Sequence, residues 1–364
     1  MGRPSALAGR ARPSVQGQIL GDAGRVPTRP LRIGKLPTSF MARMLSHGGP
    51  APPEVLLGPE PGEDACAIDV PGGVLVAATD PITLTGADLG RFAVTVNAND
   101  VAVTGTRPRW FLATVLLPPG TTEDQVGSLF ADMRASLAQV GAALVGGHTE
   151  VTGAVRQPIV VGQMLGLAED RAFVRTGGVR AGHLVLQVGR APVEGAAVLA
   201  RESAALLGHV DKDLLRAARR ALDDPGISVV NAALLAGRLG ATAMHDPTEG
   251  GLAAGLHEMA AASGARLRID RTQVLWWPPA MAVCRAAGAD PWATLASGTL
   301  LAAFEPARAA PAVEAFSLEG YEAAVIAVAE TGTGVVDAGD DVLPWPEVDE
   351  VSRLLAGDGV LDNP

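Results

Sequence analysis

Cysteine is almost missing from this 364-residue chain: Cys66 and Cys284 stand far apart, each in apolar surroundings. That excludes a disulfide framework and a Cys-x-x-Cys metal or redox site, and it fits a reducing, cytoplasmic setting. Long apolar runs are also missing. No stretch reaches the roughly eighteen unbroken apolar residues of a membrane span. Met1 to Gln18 carries arginines but no apolar core ahead of a cleavage site, so residues 1–28 are read as a flexible extension and not a signal peptide. Basic charge is scarce, with 29 Lys and Arg against 39 Asp and Glu and a net charge of -10. A nucleic-acid protein needs a basic stripe, so that class is set aside. A phosphorylated ligand stays open, because backbone N–H nests or a bound cation hold phosphate in acidic proteins. Four familiar signatures are lacking: a P-loop, a protein-kinase catalytic loop, a serine nucleophile elbow and an HExxH zinc helix. Cys66 has no neighbouring base that would make it a nucleophile.

What the chain does have is apolar residues (48%), glycine (44) and proline (27). Glycine and proline make up about a fifth of it, above the usual ~12%, with no collagen period. The length suits two cores better than one. A short helix is expected from Pro37 or Thr38, and residues 48–64 read as a loop. Strands over 65–70 and 74–79 join through Pro71-Gly72-Gly73 as a hairpin. A helix follows over 88–104, stopped by Gly105. After a strand over 110–117, Thr122 and Gln125 form a capping box for a helix ended by Gly141. Strands over 142–145 and 158–167 complete a first domain, residues 29–170. In a second domain, residues 171–345, helices are expected over 193–207, 213–222, 229–239, from Leu252 and near 311–317. Strands are expected over 184–188, 242–245, 267–269, 299–304 and 324–328, and residues 346–364 form a tail. Helices and strands are interspersed without strict βαβ repetition, which favours an α+β class with mixed sheets. Trp276, Trp277 and Trp292 read as core.

Five segments have the composition of a ligand site. Glu63 and Asp64 end a glycine-containing loop, where adjacent carboxylates suit a hard cation such as magnesium; a solvated turn is the plain alternative. Asp80 is placed at the end of a strand, facing a crevice or capping a turn. Asn97 and Asp100 lie three apart on one helix face, as ligands or as a network beneath the site. Gly146-Gly147 permits a tight turn that displays His148, Thr149 and Glu150. Asp246, Thr248, Gly250 and Gly251 form a strand end that opens a helix, whose free N–H groups favour an anion. Thr248 is a candidate cap there, and Glu258 sits two turns further on.

In order and spacing these segments resemble the superfamily of aminoimidazole ribonucleotide synthase, over roughly residues 31–345. Its other members include formylglycinamidine synthase, thiamine monophosphate kinase, selenophosphate synthetase and the hydrogenase maturation protein HypE. The resemblance is carried by Gly62-Glu63-Asp64-Ala65, Thr79-Asp80, Asn97-x-x-Asp100 with Gly105-Thr106-Arg107-Pro108, Gly146-Gly147-His148-Thr149, and Asp246-x-Thr248-x-Gly250-Gly251-Leu252. The last is most like the HypE version; the Asp-x-Ser-Asp-Gly motif of thiamine monophosphate kinase is not reproduced.

The resemblance implies a PurM-like two-domain fold, with a half-barrel N-terminal domain that forms a homodimer. It implies ATP and Mg2+ as cofactors. Asp64, Asp80 and Asp100 would hold the metal, and Asn97, Gly146, Gly147, Thr149, Thr248, Gly250 and Gly251 would line the nucleotide. His148 and Asp246 are the candidate catalytic residues. The expected activity is phosphoryl transfer to, or ATP-driven activation of, a small molecule or partner protein. The alternatives are a HypE-like maturation factor, a thiamine monophosphate kinase-like enzyme or a non-catalytic nucleotide-binding scaffold. HypE-like proteins end in a cysteine that receives the carbamoyl group. This chain ends Leu361-Asp362-Asn363-Pro364, and its last cysteine is Cys284, which counts against that chemistry.

Overall fold

The structure, a computed structural model, describes residues 36, 38–45, 51–60, 62–83, 88–203 and 207–357. The expected extension, residues 1–28, lies outside them. A short helix, α1 (Thr38–Leu45), precedes the first sheet. That sheet contains β1 (Val55–Leu57), β2 (Cys66–Val70) and β3 (Gly73–Ile82). Residues 48–64 were expected to be loop; β1 interrupts that stretch, antiparallel to β2. After α2 (Leu89–Ala102), β4 (Pro108–Leu117), α3 (Glu123–Val140), β5 (Ala143–Val151) and β6 (Ile159–Ala168), the sheet is complete in the order β1-β2-β3-β6-β4-β5, with β1 and β5 at its edges.

The Thr122–Gln125 capping box forms in both directions, and Gly141 ends α3 in the left-handed region. The alternation along β3, β4 and β6 places Val76, Phe111, Val115, Val160 and Met164 on the face covered by α2 and α3. The opposite face keeps Leu75, Ala77, Trp110, Leu112, Leu165 and Leu167 half-buried. Glycine at 162 is what lets α2 lie close to the sheet, because a Cβ there would stand 2.4 Å from Asn97 Nδ2.

The second half runs β7 (Leu184–Val188), α4 (Val193–Glu202), α5 (Lys212–Arg219), α6 (Val230–Leu239), β8 (Ala243–His245), α7 (Gly251–Ser263), β9 (Arg266–Ile269), α8 (Pro278–Ala287), β10 (Leu300–Phe304), α9 (Pro306–Leu318), β11 (Ala323–Glu330), β12 (Gly334–Asp337) and α10 (Glu350–Gly357). Its sheet order is β12-β9-β11-β7-β10-β8, mixed in direction because only β12 pairs in parallel. The expected boundary falls in the link between β6 and β7. Three elements of this half were not expected: α8, which opens on Pro278-Pro279, β12, and α10, which lies in the expected tail. Prolines in the first turn are a helix-start signal, although two prolines in a row also read as a loop.

Helix α2 is buried from Phe92 to Ala102 without a break. Such a helix is enclosed on all sides, and here both halves supply the enclosure. Phe92 belongs to the core of α4, α8 and α10, while Ala93 and Val101 belong to the core under the first sheet.

Candidate functional site

Asp64 enters the site from the loop before β2. Its Oδ2 accepts a hydrogen bond from His245 Nδ1 at 2.7 Å, and the Thr176 hydroxyl lies 3.4 Å away. The other ring nitrogen of His245, Nε2, is 2.9 Å from Glu258 Oε2. A carboxylate only accepts, so both nitrogens must donate and the ring is an imidazolium. Burial works against that charge, but Asp64 and Glu258 outweigh it and hold the imidazole well above its ordinary value. His245 is 3% exposed. In the sequence it stands only as the last residue of the expected 242–245 strand.

The neighbouring Asp246 is 1% exposed, and neither of its side-chain oxygens has a hydrogen-bond partner among the described residues. Burial raises its carboxyl well above the usual carboxylate range. Asp64 and Asp80 add to the rise, while His245 opposes it. Carboxylates from both halves therefore converge: Asp64 and Asp80 from the first, Asp246 from the second. Like charges gathered out of water either take up a proton or are held ionised by a compensating cation.

Asp80 lies inside β3, opposite Gly162, and not beyond the strand as expected. Asn97 holds it by the backbone: Asp80 N–H donates to Asn97 Oδ1 at 2.8 Å, and Asn97 Nδ2 donates to the Asp80 carbonyl at 3.2 Å. Asn97 thus belongs to a network that supports the acid. Asp100, 6% exposed, follows one turn later on α2.

Three of the expected roles change. Glu63, proposed as a second cation ligand, accepts from Thr176 N–H at 3.0 Å and Gly177 N–H at 3.2 Å, so it fastens the link between the halves. The turn before α7 does not offer a free anion site at Gly250, because that N–H donates to Asp349 Oδ2 at 2.8 Å. Asp349 comes from the expected tail, and burial pushes its carboxyl up to about 7. Thr248 makes no side-chain cap; its carbonyl accepts from Gly251 N–H instead.

Gly146, Gly147, His148 and Thr149 are not gathered with these residues in one chain. They continue β5 as a strand, with no turn. Gly147 is needed for another reason: at φ 145° its Cβ would stand 2.0 Å from the Ala113 carbonyl of β4. His148 pairs with exposed Glu150 at 3.2 Å. It occupies the outermost strand, three strands from Asp80, about 14 Å at the usual spacing.

Among the described residues, no three His, Cys, Asp or Glu side chains are grouped closely enough to hold a metal by themselves. No helix among them is long and apolar enough to cross a membrane.

Comparison with known proteins bears on the family and the fold. Residues 62–168 match the AIR synthase related protein N-terminal domain, and residues 180–338 match the corresponding C-terminal domain. Carbamoyl dehydratase HypE of Rhodobacter capsulatus is 31% identical over 276 residues, 72% of this chain and 78% of that protein. Thiamine-monophosphate kinase of Mycobacterium tuberculosis is 31% identical over 266 residues, 70% and 75%. A crystal structure of the hydrogenase maturation protein HypE in complex with ATP shares the fold at a TM-score of 0.64, with 24% identity over 79% of this chain and 90% of that one. The chain belongs to the AIR synthase-related, PurM-like superfamily, with homology to its HypE branch.

Proposed function

We propose that this chain is a HypE-like enzyme that uses ATP and magnesium to activate an amide-type oxygen by phosphoryl transfer. The observation that supports this most is the bare, buried carboxylate of Asp246 set beside Asp64 and Asp80. The residues fit a cation that arrives with its own oxygens: the protein groups no closed set of ligands, and magnesium is commonly shared between one or two carboxylates and substrate phosphates. Asp64, Asp80 and Asp100 are assigned to the metal, and Asp246 with the 248–251 turn closes the site from the second half. Bound there, ATP supplies the phosphoryl group while magnesium spreads its charge. The chain's own work is positioning. Asn97 fixes the Asp80 backbone, and His245 fixes Asp64 across the two halves. His148 is given no part within one chain.

Two ATP-using chemistries stand at equal identity among the relatives. The segment Asp246-Pro247-Thr248-Glu249-Gly250-Gly251 favours the HypE side over the kinase side. Neither cysteine is placed as a carrier thiol. Cys284 is 1% exposed, and burial pushes its thiol up to about 11. Cys66 lies on the face of the first sheet away from α2. A carbamoyl-type substrate is therefore supplied by a separate molecule in this reading. The half-buried apolar face of the first sheet supports a homodimer, and a monomer in solution scattering counts against it.

The test is magnesium-dependent ATP turnover in the presence of a small carbamoyl thiol. Asp80→Asn is expected to lower turnover at least about a hundredfold with the fold intact, a typical loss when a positioned charge is removed. ATP binding with no turnover in the wild type would move the chain to the non-catalytic scaffold reading.

A further inference from the structure

The second half contains a cavity of about 680 Å3 that none of the acidic-site residues lines. It sits where β7 ends and β10 and β11 begin, between Arg190, the end of α5, the 224–228 turn, the start of α8 and Tyr321. By strand register, β8 delivers Asp246 to the same end of this sheet, two strands away. The two places are therefore neighbours, about 10 Å apart along the sheet edge.

Three guanidiniums, Arg190, Arg216 and Arg220, line the cavity beside three carboxylates, Asp213, Asp224 and Glu322. Arg190 pairs with Glu322 at 2.9 Å, and Arg216 pairs with Asp213 at 2.7 Å. Both pairs are exposed to solvent, 37% and 55% for the first, 68% and 82% for the second. Such pairs hold little free energy, so an incoming oxyanion displaces them at small cost. Arg220, also on the lining, is exposed and is felt by Asp223 only through its charge, not through a direct hydrogen bond. A guanidinium fork matches carboxylate or phosphate oxygens. Trp277, 9% exposed, and Tyr321, whose ring is fixed edge-on against Phe316, add an apolar wall. The volume is in the range that takes up a small organic ligand. Asp224, exposed at the rim, offers an acceptor for one donor group on it.

The wall is also tied to the acidic site. Asn99 of α2 donates to the Ile227 carbonyl and accepts from Val229 N–H, both at 2.9 Å. Arg91 of α2 bonds Asp223 at 2.6 Å and the Leu222 carbonyl. The helix that carries the clamp on Asp80 is therefore bolted to the turn that forms this wall. We infer that the cavity is a second binding site, for a small molecule bearing an oxyanion on an apolar or planar body.

The test titrates the full chain with inorganic phosphate and, separately, with acetate at constant ionic strength, followed by calorimetry and tryptophan fluorescence. At least one anion is expected to saturate below about 10 mM, with its affinity weakened about tenfold or more in Arg220→Glu and unchanged in Asp246→Asn. Which anion saturates separates a phosphorylated ligand from a carboxylated one. Arg220 is exposed, so circular dichroism is expected to show the variant folded. Saturation by neither anion, equal affinity in Arg220→Glu, or loss confined to Asp246→Asn overturns the inference.

Discussion

Replacing His245 by asparagine probes the site most directly. Asparagine is shorter, opens only a small gap and reaches one carboxylate at most, so Asp64 or Glu258 is left as a buried charge without its counter-ion. His245, Asp64 and Glu258 are 3%, 16% and 13% exposed, so the figure for a broken buried pair applies, about 3–5 kcal/mol, and the surface value does not. With an unfolding entropy of about 2 cal/mol/K per residue over 364 residues, that loss lowers the melting temperature by about 4–7 °C. The pH dependence has a definite sign. The folded pKa of His245 is raised, so its contribution is complete below about pH 6.5 and disappears as pH climbs through the folded value. The gap between wild type and variant should be widest near pH 6 and narrow in alkali. Adding Glu258→Gln to the variant should restore part of the loss by removing one stranded charge. Thermal melts across pH decide the matter. A gap below about 2 °C, or one that widens with pH, refutes an imidazolium at this position.

Two further outcomes follow from buried groups. Burial raises Glu194 from 4.5 to about 7, with Ser297 opposing and Glu249 adding, so the favourable protonated form is lost between about pH 4.5 and 7. Glu194→Gln should therefore stabilise the protein by up to about 3 kcal/mol at pH 8 and by little at pH 5, as read by denaturant melts. Asn97→Ala should cost about 1–3 kcal/mol by leaving the Asp80 N–H without its acceptor. It should also weaken magnesium–nucleotide binding at temperatures where the variant is fully folded, and unchanged binding would limit Asn97 to stability.

Local signals were readable where the physics is local. The Thr122–Gln125 box, the Pro71-Gly72-Gly73 turn and Gly141 after α3 each act within a few residues, and each appears where the sequence places it. The acidic residues were readable as separate segments. Their junction was not, because the residue that joins them carries no pattern: His245 stands between Met244 and Asp246, with one partner 181 residues away and the other 13. Gly146-Gly147 misled for a related reason. A glycine pair usually signals a turn, but Gly147 answers to the carbonyl of a neighbouring strand, which the sequence does not show. Asn99 was passed over although a buried amide on a Val- and Ala-rich helix needs a partner; that partner lies 128 residues further on.

Helix α2 has a consequence for how this protein can be taken apart. Its surroundings are shared so evenly that neither half, produced alone, could keep it dry: the first would lose the pocket around Phe92, and the second would be left with an open slot. Dissection by limited digestion or by split expression should therefore give partners that recombine or aggregate, and the smallest autonomous unit spans both sheets.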